Sequence, residues 1–181
     1  MAAPTPENGR IGCLKDYTKD CQKKDLKSFT ALHGKAFLVH HGPIGKFKEP
    51  IKEKKTMAVE GGDVDEYFDP REDFLVFEVR QTPGQPAQDD LIRLGRNPGG
   101  DIIIPDASIS AVHAFFQEGR DGYTILDNDS MNGTWVNMKE VPVKGQGQPM
   151  PVKSLSRLRF GSVVMTFMQA TDFYKLAREF F

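Results

Sequence analysis

The chain has 181 residues, of which 39% are hydrophobic and 27% are charged, and its formal net charge is -1. This composition supports a folded core and excludes a wholly disordered chain. The near-zero charge excludes a global basic field that would draw the protein onto nucleic acid or an anionic membrane, so any anion site must be local. The length predicts one domain with extensions, or at most two very small domains.

The first 72 residues are predicted to lie outside the main domain. Residues 1–10 contain two prolines and a glycine and predict a disordered leader. Residues 11–72 predict a helical extension, a short strand at 36–39 and a charged linker. In that linker, residues 42–56 are rich in lysine and residues 60–73 are rich in Asp and Glu. The pattern favours a long exposed connection over the alternative, an electrostatic docking segment.

Helical periodicity occurs near both ends of the chain. Apolar residues recur on one helical face between Ile11 and Leu32, and Asp25 interrupts that face. The pattern predicts either one helix broken near Lys24 or two short helices. Residues 171–181 predict a C-terminal amphipathic helix with Asp172 as its N-cap. Because a short helix is not stable alone, it should dock on the N-terminal helical segment or on an open face of the main domain.

Residues 73–170 consist of short apolar runs separated by turn signals. The alternation in residues 157–160, Arg-Leu-Arg-Phe, is typical of a strand with one solvent-facing side. None of the connections is long enough for a crossover helix, so the fold class predicted is mainly β, an antiparallel sandwich or barrel. The predicted strands are Phe74–Val79, Leu91–Leu94, Ile102–Ile104, Val112–Phe116, Tyr123–Leu126, Thr134–Val136, Leu155–Phe160 and Val163–Met168.

Three polar clusters fall in the connections between predicted strands: residues 95–97, 108–113 and 130–134. Loops at one end of a sandwich gather at its rim, so these clusters can converge on one ligand. Arg96 offers a planar fork of donors that suits phosphate oxygens, and a serine hydroxyl adds another donor. An asparagine amide can hold a peptide backbone through its donor and its acceptor together. The clusters therefore predict a site for an anionic peptide.

The clusters resemble the motifs of the forkhead-associated (FHA) domain family. The matching motifs are Gly95-Arg96, Ser110 to His113, Ser130 to Thr134, Val136-Asn137 and Arg159-Phe160-Gly161. Five ordered motifs are far more specific than any one of them. The resemblance covers about residues 74–168. It implies an eleven-stranded FHA-like antiparallel β-sandwich that recognises phosphothreonine through loops at one end. The short helical N-terminal extension and the C-terminal helix are predicted from periodicity alone. The resemblance implies no catalysis. No cofactor is expected, and no metal, because His33, His40 and His41 have no Cys, Asp or Glu at a ligand spacing beside them.

The resemblance also implies a role for individual residues. Arg96 and Ser110 would contact the phosphate, and Asn132 would hold the backbone beside the phosphothreonine. Four residues would support the site structurally, through tight backbone geometry or internal bracing: Gly95, His113, Gly133 and Asn137.

Two positions of the phosphopeptide-binding set depart from the family pattern. Ala111 stands where a basic residue or Asn usually reaches the phosphate, and Met131 stands where a Thr hydroxyl usually helps. Each missing charge-assisted hydrogen bond is worth about 1.5 to 3 kcal/mol. A micromolar complex has only about 8 kcal/mol in all. Phosphate binding without substitutes for both donors would therefore approach the millimolar range.

Three functions follow from this pattern. The first is a cytoplasmic, bacterial adaptor that binds a threonine-phosphorylated protein, such as a Ser/Thr kinase or its substrate, and neither nucleic acid nor membrane. The second is a phosphorylation-independent scaffold on the same fold. The third, a hydrolase using Ser110 and His113, is disfavoured because the chain has no nucleophile elbow and no evident third partner. For Arg96 itself, the alternative to ligand binding is a surface ion pair with Asp101 or Asp106.

Overall fold

The structure is a computed structural model that describes residues 11–41, 74–84 and 89–179. The predicted leader at 1–10 and the predicted linker at 42–73 therefore lie outside the described residues. The helices and the strand of the predicted extension lie within them. In chain order the elements are β1 (Ile11–Cys13), α1 (Leu14–Lys23), α2 (Leu26–His33), β2 (Ala36–His41), β3 (Phe74–Glu78), β4 (Leu91–Gly95), β5 (Ile102–Ile103), β6 (Ala114–Gly119), β7 (Gly122–Asp127), β8 (Thr134–Val136), β9 (Lys139–Glu140), β10 (Met150–Val152), β11 (Arg157–Phe160), β12 (Val163–Gln169) and α3 (Ala170–Glu179).

The strands form two sheets that pack face to face. One sheet has the order β1-β3-β2-β12-β11-β8-β9 and the other has the order β10-β7-β6-β4-β5. All strand pairs are antiparallel except β4 and β5, which run parallel. Inward side chains from both sheets make the main core, in which the ring centroid of Phe116 lies 6.3 Å from that of Phe160 and 6.1 Å from that of Phe167. The predicted fold class, an antiparallel β-sandwich, is confirmed.

Strands of the N-terminal extension belong to the sandwich, so the domain does not begin at residue 73 as predicted. Strand β2 lies between β3 and β12 inside the larger sheet, and its Leu38 is fully buried in the main core. Strand β1 pairs with the outer side of β3 at residues where the pattern predicted helix. The helix begins only after Cys13, whose N–H donates to the Asp16 carboxylate at 2.8 Å. With β1 the described residues hold twelve strands, not the eleven that the resemblance implies.

The predicted break near Lys24 is present between α1 and α2. Asp25 caps α2 by accepting a hydrogen bond from the Ser28 N–H at 2.8 Å, which explains why an acidic residue interrupts the apolar face. Gly34 ends α2 with φ of 101°, a backbone conformation that favours glycine. Of the two predicted alternatives, the structure has the two short helices, and the first of them starts later than the pattern indicated.

The three helices form a second core on the outer face of the larger sheet. The rings of Phe37 on β2 and Phe173 on α3 stack with centroids 4.1 Å apart. The Tyr174 hydroxyl donates to the Lys24 carbonyl at 2.7 Å, which ties α3 to α1. The C-terminal helix was predicted to dock on the N-terminal helical segment or on an open face of the main domain, and it contacts both. Asp172 is not its N-cap, because the helix begins earlier, at Ala170.

The fold positions two surfaces that matter for function. The connections β4–β5, β5–β6 and β7–β8 meet at one rim of the sandwich, as their hydrogen bonds show below. The helices cover β2, β3 and part of β12, whereas the outer side chains of β8 and β11 are not buried. No helix among the described residues is long and apolar enough to cross a membrane.

Candidate phosphopeptide site

The three polar loops are joined to one another at one rim. The Arg96 N–H donates to the Ser110 carbonyl at 3.0 Å. The Met131 N–H donates to the Ser110 hydroxyl at 3.1 Å. The Asn132 side-chain amide donates to the Ser108 carbonyl at 2.9 Å. These bonds bring the three predicted ligand contacts, from segments up to 36 positions apart in numbering (132 − 96), to one surface.

Arg96 is exposed and oriented toward the ligand side by a single anchor. Its Nε donates to the Ile109 carbonyl at 3.2 Å, which is its only side-chain hydrogen bond within the described residues. Its two terminal nitrogens therefore keep the donors that bind an anion in a bidentate manner. The alternative ion pairs are not formed: the Asp101 carboxylate accepts two backbone N–H groups, and Asp106 accepts from Ser108 at 2.8 Å.

Ser110 keeps a hydroxyl proton for a ligand. Its Oγ accepts from the Met131 N–H, and this uses a lone pair but not the proton. Ala111 is exposed, and its carbonyl accepts from the Asn97 N–H at 3.0 Å, so its backbone also holds the first loop. The Met131 side chain is 90% exposed. The two departures from the family pattern thus lie at the rim and make it locally apolar.

His113 is fully buried and connects two of the loops. Its Nδ1 accepts from the Ser110 N–H at 3.0 Å, and its Nε2 lies 3.0 Å from the Gly133 carbonyl. Because a backbone N–H can only donate and a carbonyl can only accept, the ring is neutral with its proton on Nε2. Burial lowers the pKa of His113 below its ordinary value, which agrees with a neutral ring. Neither nitrogen contacts the Ser110 hydroxyl, as a nucleophile and base pair would require.

Two glycines permit close approaches at the rim. A Cβ on Gly95 would lie 2.2 Å from the Ala111 carbonyl oxygen. Gly133 has φ of 75°, and a Cβ there would lie 2.4 Å from the Trp135 ring. Asn137 is separate from the rim: it stands at the other end of β8, where its Oδ1 accepts from the Arg157 N–H at 2.8 Å. It shapes the β8–β9 hairpin and does not touch the loops of the site.

A buried carboxylate that the motifs did not single out organises the third loop. Asp127 is 3% exposed, and its carboxylate accepts from the Ser130 N–H at 2.8 Å, the Ser130 hydroxyl at 2.7 Å and the Thr134 hydroxyl at 2.5 Å. An Asp followed three residues later by Ser is a local turn signal that could have identified it. Ser108 stood in the second polar cluster, but no individual role was predicted for it. Its hydroxyl contacts Ser162 in the β11–β12 turn at 2.8 Å, and no sequence pattern indicated that pairing.

The fold and the rim together define a β-sandwich binding module whose loops present an arginine, a serine and an asparagine around a neutral, buried histidine. Residues 92–161 match the model of the FHA domain family. The resemblance to FHA domains that the motifs indicated is therefore confirmed over these residues.

Two bacterial relatives match a short part of the chain. An oxoglutarate dehydrogenase inhibitor of Corynebacterium jeikeium is 44% identical over 43 residues, which is 24% of this chain and 30% of the relative. The glycogen accumulation regulator GarA of Mycobacterium tuberculosis is 38% identical over 47 residues, which is 26% of this chain and 29% of the relative. The matched segment thus spans less than a third of either relative.

Two solved structures are similar to part of the chain. An FHA domain of an Arabidopsis thaliana hypothetical protein has 24% identity and a TM-score of 0.42, and the match covers 55% of this chain and 77% of that one. Mycobacterium tuberculosis EmbR, solved in complex with a low-affinity phosphopeptide, has 24% identity and a TM-score of 0.39, and the match covers 45% of this chain and 20% of that one.

Proposed function

We propose that the rim binds peptides that contain phosphothreonine. The observation that carries the proposal is the exposed Arg96 guanidinium, which is anchored through Nε and keeps its terminal nitrogens for an anion. A phosphate with two negative charges is the ligand that best matches a bidentate arginine beside a serine hydroxyl. Ser110 supplies that hydroxyl, and its backbone N–H is already committed to His113.

Asn132 is proposed to hold the peptide backbone beside the phosphothreonine. Its amide nitrogen already donates to the Ser108 carbonyl, and its Oδ1 can still accept from a peptide N–H. The neighbouring Met131 side chain, 90% exposed, would contact an apolar residue of the peptide. Ala111 and Met131 thus contribute to binding through shape and apolar contact, and Arg96 supplies most of the side-chain charge for the phosphate.

In this proposal the protein is a cytoplasmic, non-enzymatic adaptor in bacterial kinase signalling. Its partner is a threonine-phosphorylated protein, either a Ser/Thr kinase or a kinase substrate. Two observations support this role: the names of the matched relatives are those of an inhibitor and a regulator, and both His113 ring nitrogens are engaged by backbone groups and not by a candidate nucleophile.

The proposal is tested by calorimetric titration of the full chain with paired peptides, one phosphorylated on threonine and one not. We expect the phosphorylated peptide alone to bind measurably. Arg96→Ala should weaken that binding by at least tenfold, because the loss of even one hydrogen bond to a charged group costs about 1.5 to 3 kcal/mol. Arg120→Ala is the matched control, since Arg120 is also exposed but lies in the β6–β7 turn at the far end of β6. Equal binding of both peptides, or no effect of Arg96→Ala, contradicts the proposal.

A second candidate function is a phosphorylation-independent scaffold on the same rim. The observation that favours it is the apolar character of Met131 and Ala111 where phosphate donors usually stand. In the same titration this function predicts equal affinity for the two peptides, with a loss on Met131→Ser and none on Arg96→Ala.

A further inference from the structure

A groove with apolar and cationic walls lies on the outer face of the larger sheet, beside the helical layer. Its volume is about 390 Å³, and it is lined by Trp135, Met138, Arg157, Arg159 and Val164. We call it the Trp135 groove. The three strands that form it are adjacent, because Arg159 pairs in register with both Trp135 and Val164. The rim site uses none of these five side chains.

The groove combines cationic and aromatic or apolar side chains. The Arg159 guanidinium lies over the Trp135 ring, 3.3 Å from its centroid, which presents a flat cationic and aromatic surface. Arg157 is exposed, and within the described residues neither arginine forms a salt bridge. Met138 has φ of 70° at the second position of a hairpin turn, where glycine is favoured, and its side chain is 95% exposed. Met138 thus adds an exposed apolar side chain to the edge of the groove.

The chain itself contains a segment of complementary chemistry. Residues 60–73 carry seven acidic residues and one basic residue, Arg71, and they include the aromatic pair Tyr67-Phe68. Carboxylates suit the two arginines, and an aromatic or aliphatic side chain suits the space between Trp135 and Met138. The function proposed for the rim gives this segment no role.

The points where the chain leaves and re-enters the described structure place this segment within reach. His41 pairs in register with Phe74, so both ends of the intervening 42–73 stretch lie on neighbouring strands. Strand β11, which carries Arg159, is three strands from β3 in the sheet order, or about 14 Å at about 4.8 Å per strand. Eight residues of extended chain span up to about 26 Å. Residues near 66 can therefore reach the groove.

From these observations we propose that residues 60–73 bind the Trp135 groove of the same chain, with their carboxylates on Arg157 and Arg159. Tethering favours this occupant over a free partner, because a short tether gives an effective concentration in the millimolar range. The segment would then shield Trp135 and compete with any acidic protein for the same face. This binding does not depend on the function proposed for the rim.

The test uses the accessibility of Trp135, which is the only tryptophan of the chain, to the quencher acrylamide in the full-length protein. The neutral-segment variant combines Asp63→Asn, Asp65→Asn and Glu66→Gln. Its control removes the same number of charges from exposed acidic residues elsewhere: Asp90→Asn, Asp121→Asn and Glu179→Gln. If the affinity of the segment matches a millimolar effective concentration, the groove is about half covered, and neutralising the segment should raise quenching about twofold. The control should leave quenching unchanged.

A charge exchange makes the test specific. Arg157→Glu should raise the quenching of Trp135 as the neutral segment does, and adding Asp65→Lys to Arg157→Glu should restore protection. Equal quenching in all variants overturns the proposal. If the protection of Trp135 grows with protein concentration, a second copy of the chain covers the groove, and the proposal is also overturned. Because acrylamide quenching requires no phosphopeptide, failure here leaves the rim proposal untouched, and failure of the peptide titration leaves this one untouched.

Discussion

Replacing His113 with alanine should destabilise the protein and loosen the rim at the same time. His113 is fully buried, so removing its ring leaves a cavity that costs about 2 kcal/mol or more. The Ser110 N–H loses its acceptor, and an unsatisfied buried donor costs about 1 to 3 kcal/mol. The Gly133 carbonyl keeps its bond from the Gly161 N–H at 3.0 Å, so its loss is small. We expect His113→Ala to lower the free energy of unfolding by about 3 to 5 kcal/mol.

Urea unfolding, followed by far-ultraviolet circular dichroism, measures this change. His113→Asn provides an internal comparison, because its amide oxygen can take the place of Nδ1 and accept from the Ser110 N–H. It should recover about 1 to 3 kcal/mol of the alanine variant's loss, and it should bind phosphopeptide better than that variant. Gln117→Ala, an exposed position on β6, the strand that follows His113, is the control. A loss below about 1 kcal/mol for His113→Ala, or identical stability of the asparagine and alanine variants, would refute the bracing role.

Three further predictions concern pH and the third loop. Folding lowers the pKa of His113 from 6.5. Below pH 6.5 the unfolded state therefore binds more protons than the folded state. The contribution of the neutral His113 ring to the free energy of unfolding is complete above pH 6.5 and is lost as the pH falls toward the lowered pKa of the folded state. Urea midpoints from pH 8 to pH 5 should show this loss in the wild type and a smaller one in His113→Asn. Gly133→Ala should lower the free energy of unfolding by about 1 kcal/mol or more, because of its positive φ and the clash with the Trp135 indole. Gly145→Ala, with φ of 85° and open space around it, should lower it only through the strained backbone. Asp127→Asn should cost about 2 kcal/mol or more, because it weakens bonds to a buried charged acceptor. Asp121→Asn, at an exposed position, should be neutral in the same unfolding assay.

Local pattern predicted those elements whose signal is periodic or chemical. Strand β8 has the predicted bounds, Thr134–Val136, and β4 extends the predicted Leu91–Leu94 by a single residue. The strands that were missed carry little signal of their own. Strand β9 is two exposed residues, and β10 contains Pro151, which disfavours a strand. These two are held by pairing with neighbours and not by their own composition.

At the rim, motif spacing predicted which residues the loops present, but not what holds them. Arg96, Ser110 and Asn132 were identified because they lie in motifs that resemble those of the FHA family and have side chains suited to an anionic peptide. Asp127 was not identified, because a lone aspartate at the end of a strand usually faces solvent. Its burial depends on three donors that the folded loop supplies.

By itself the sequence determined the β-sandwich class, the break between the first two helices and the side chains at the rim, since periodicity, capping and turn chemistry are local properties of a chain. Only the tertiary structure decided that β2 belongs inside the larger sheet, that α3 covers that sheet beside α1, and that Trp135 and Arg159 form a groove. Those outcomes depend on which distant segments pair and bury one another. Strand pairing uses backbone groups that every residue carries, so the choice of partner is made by the whole core and not by any one segment.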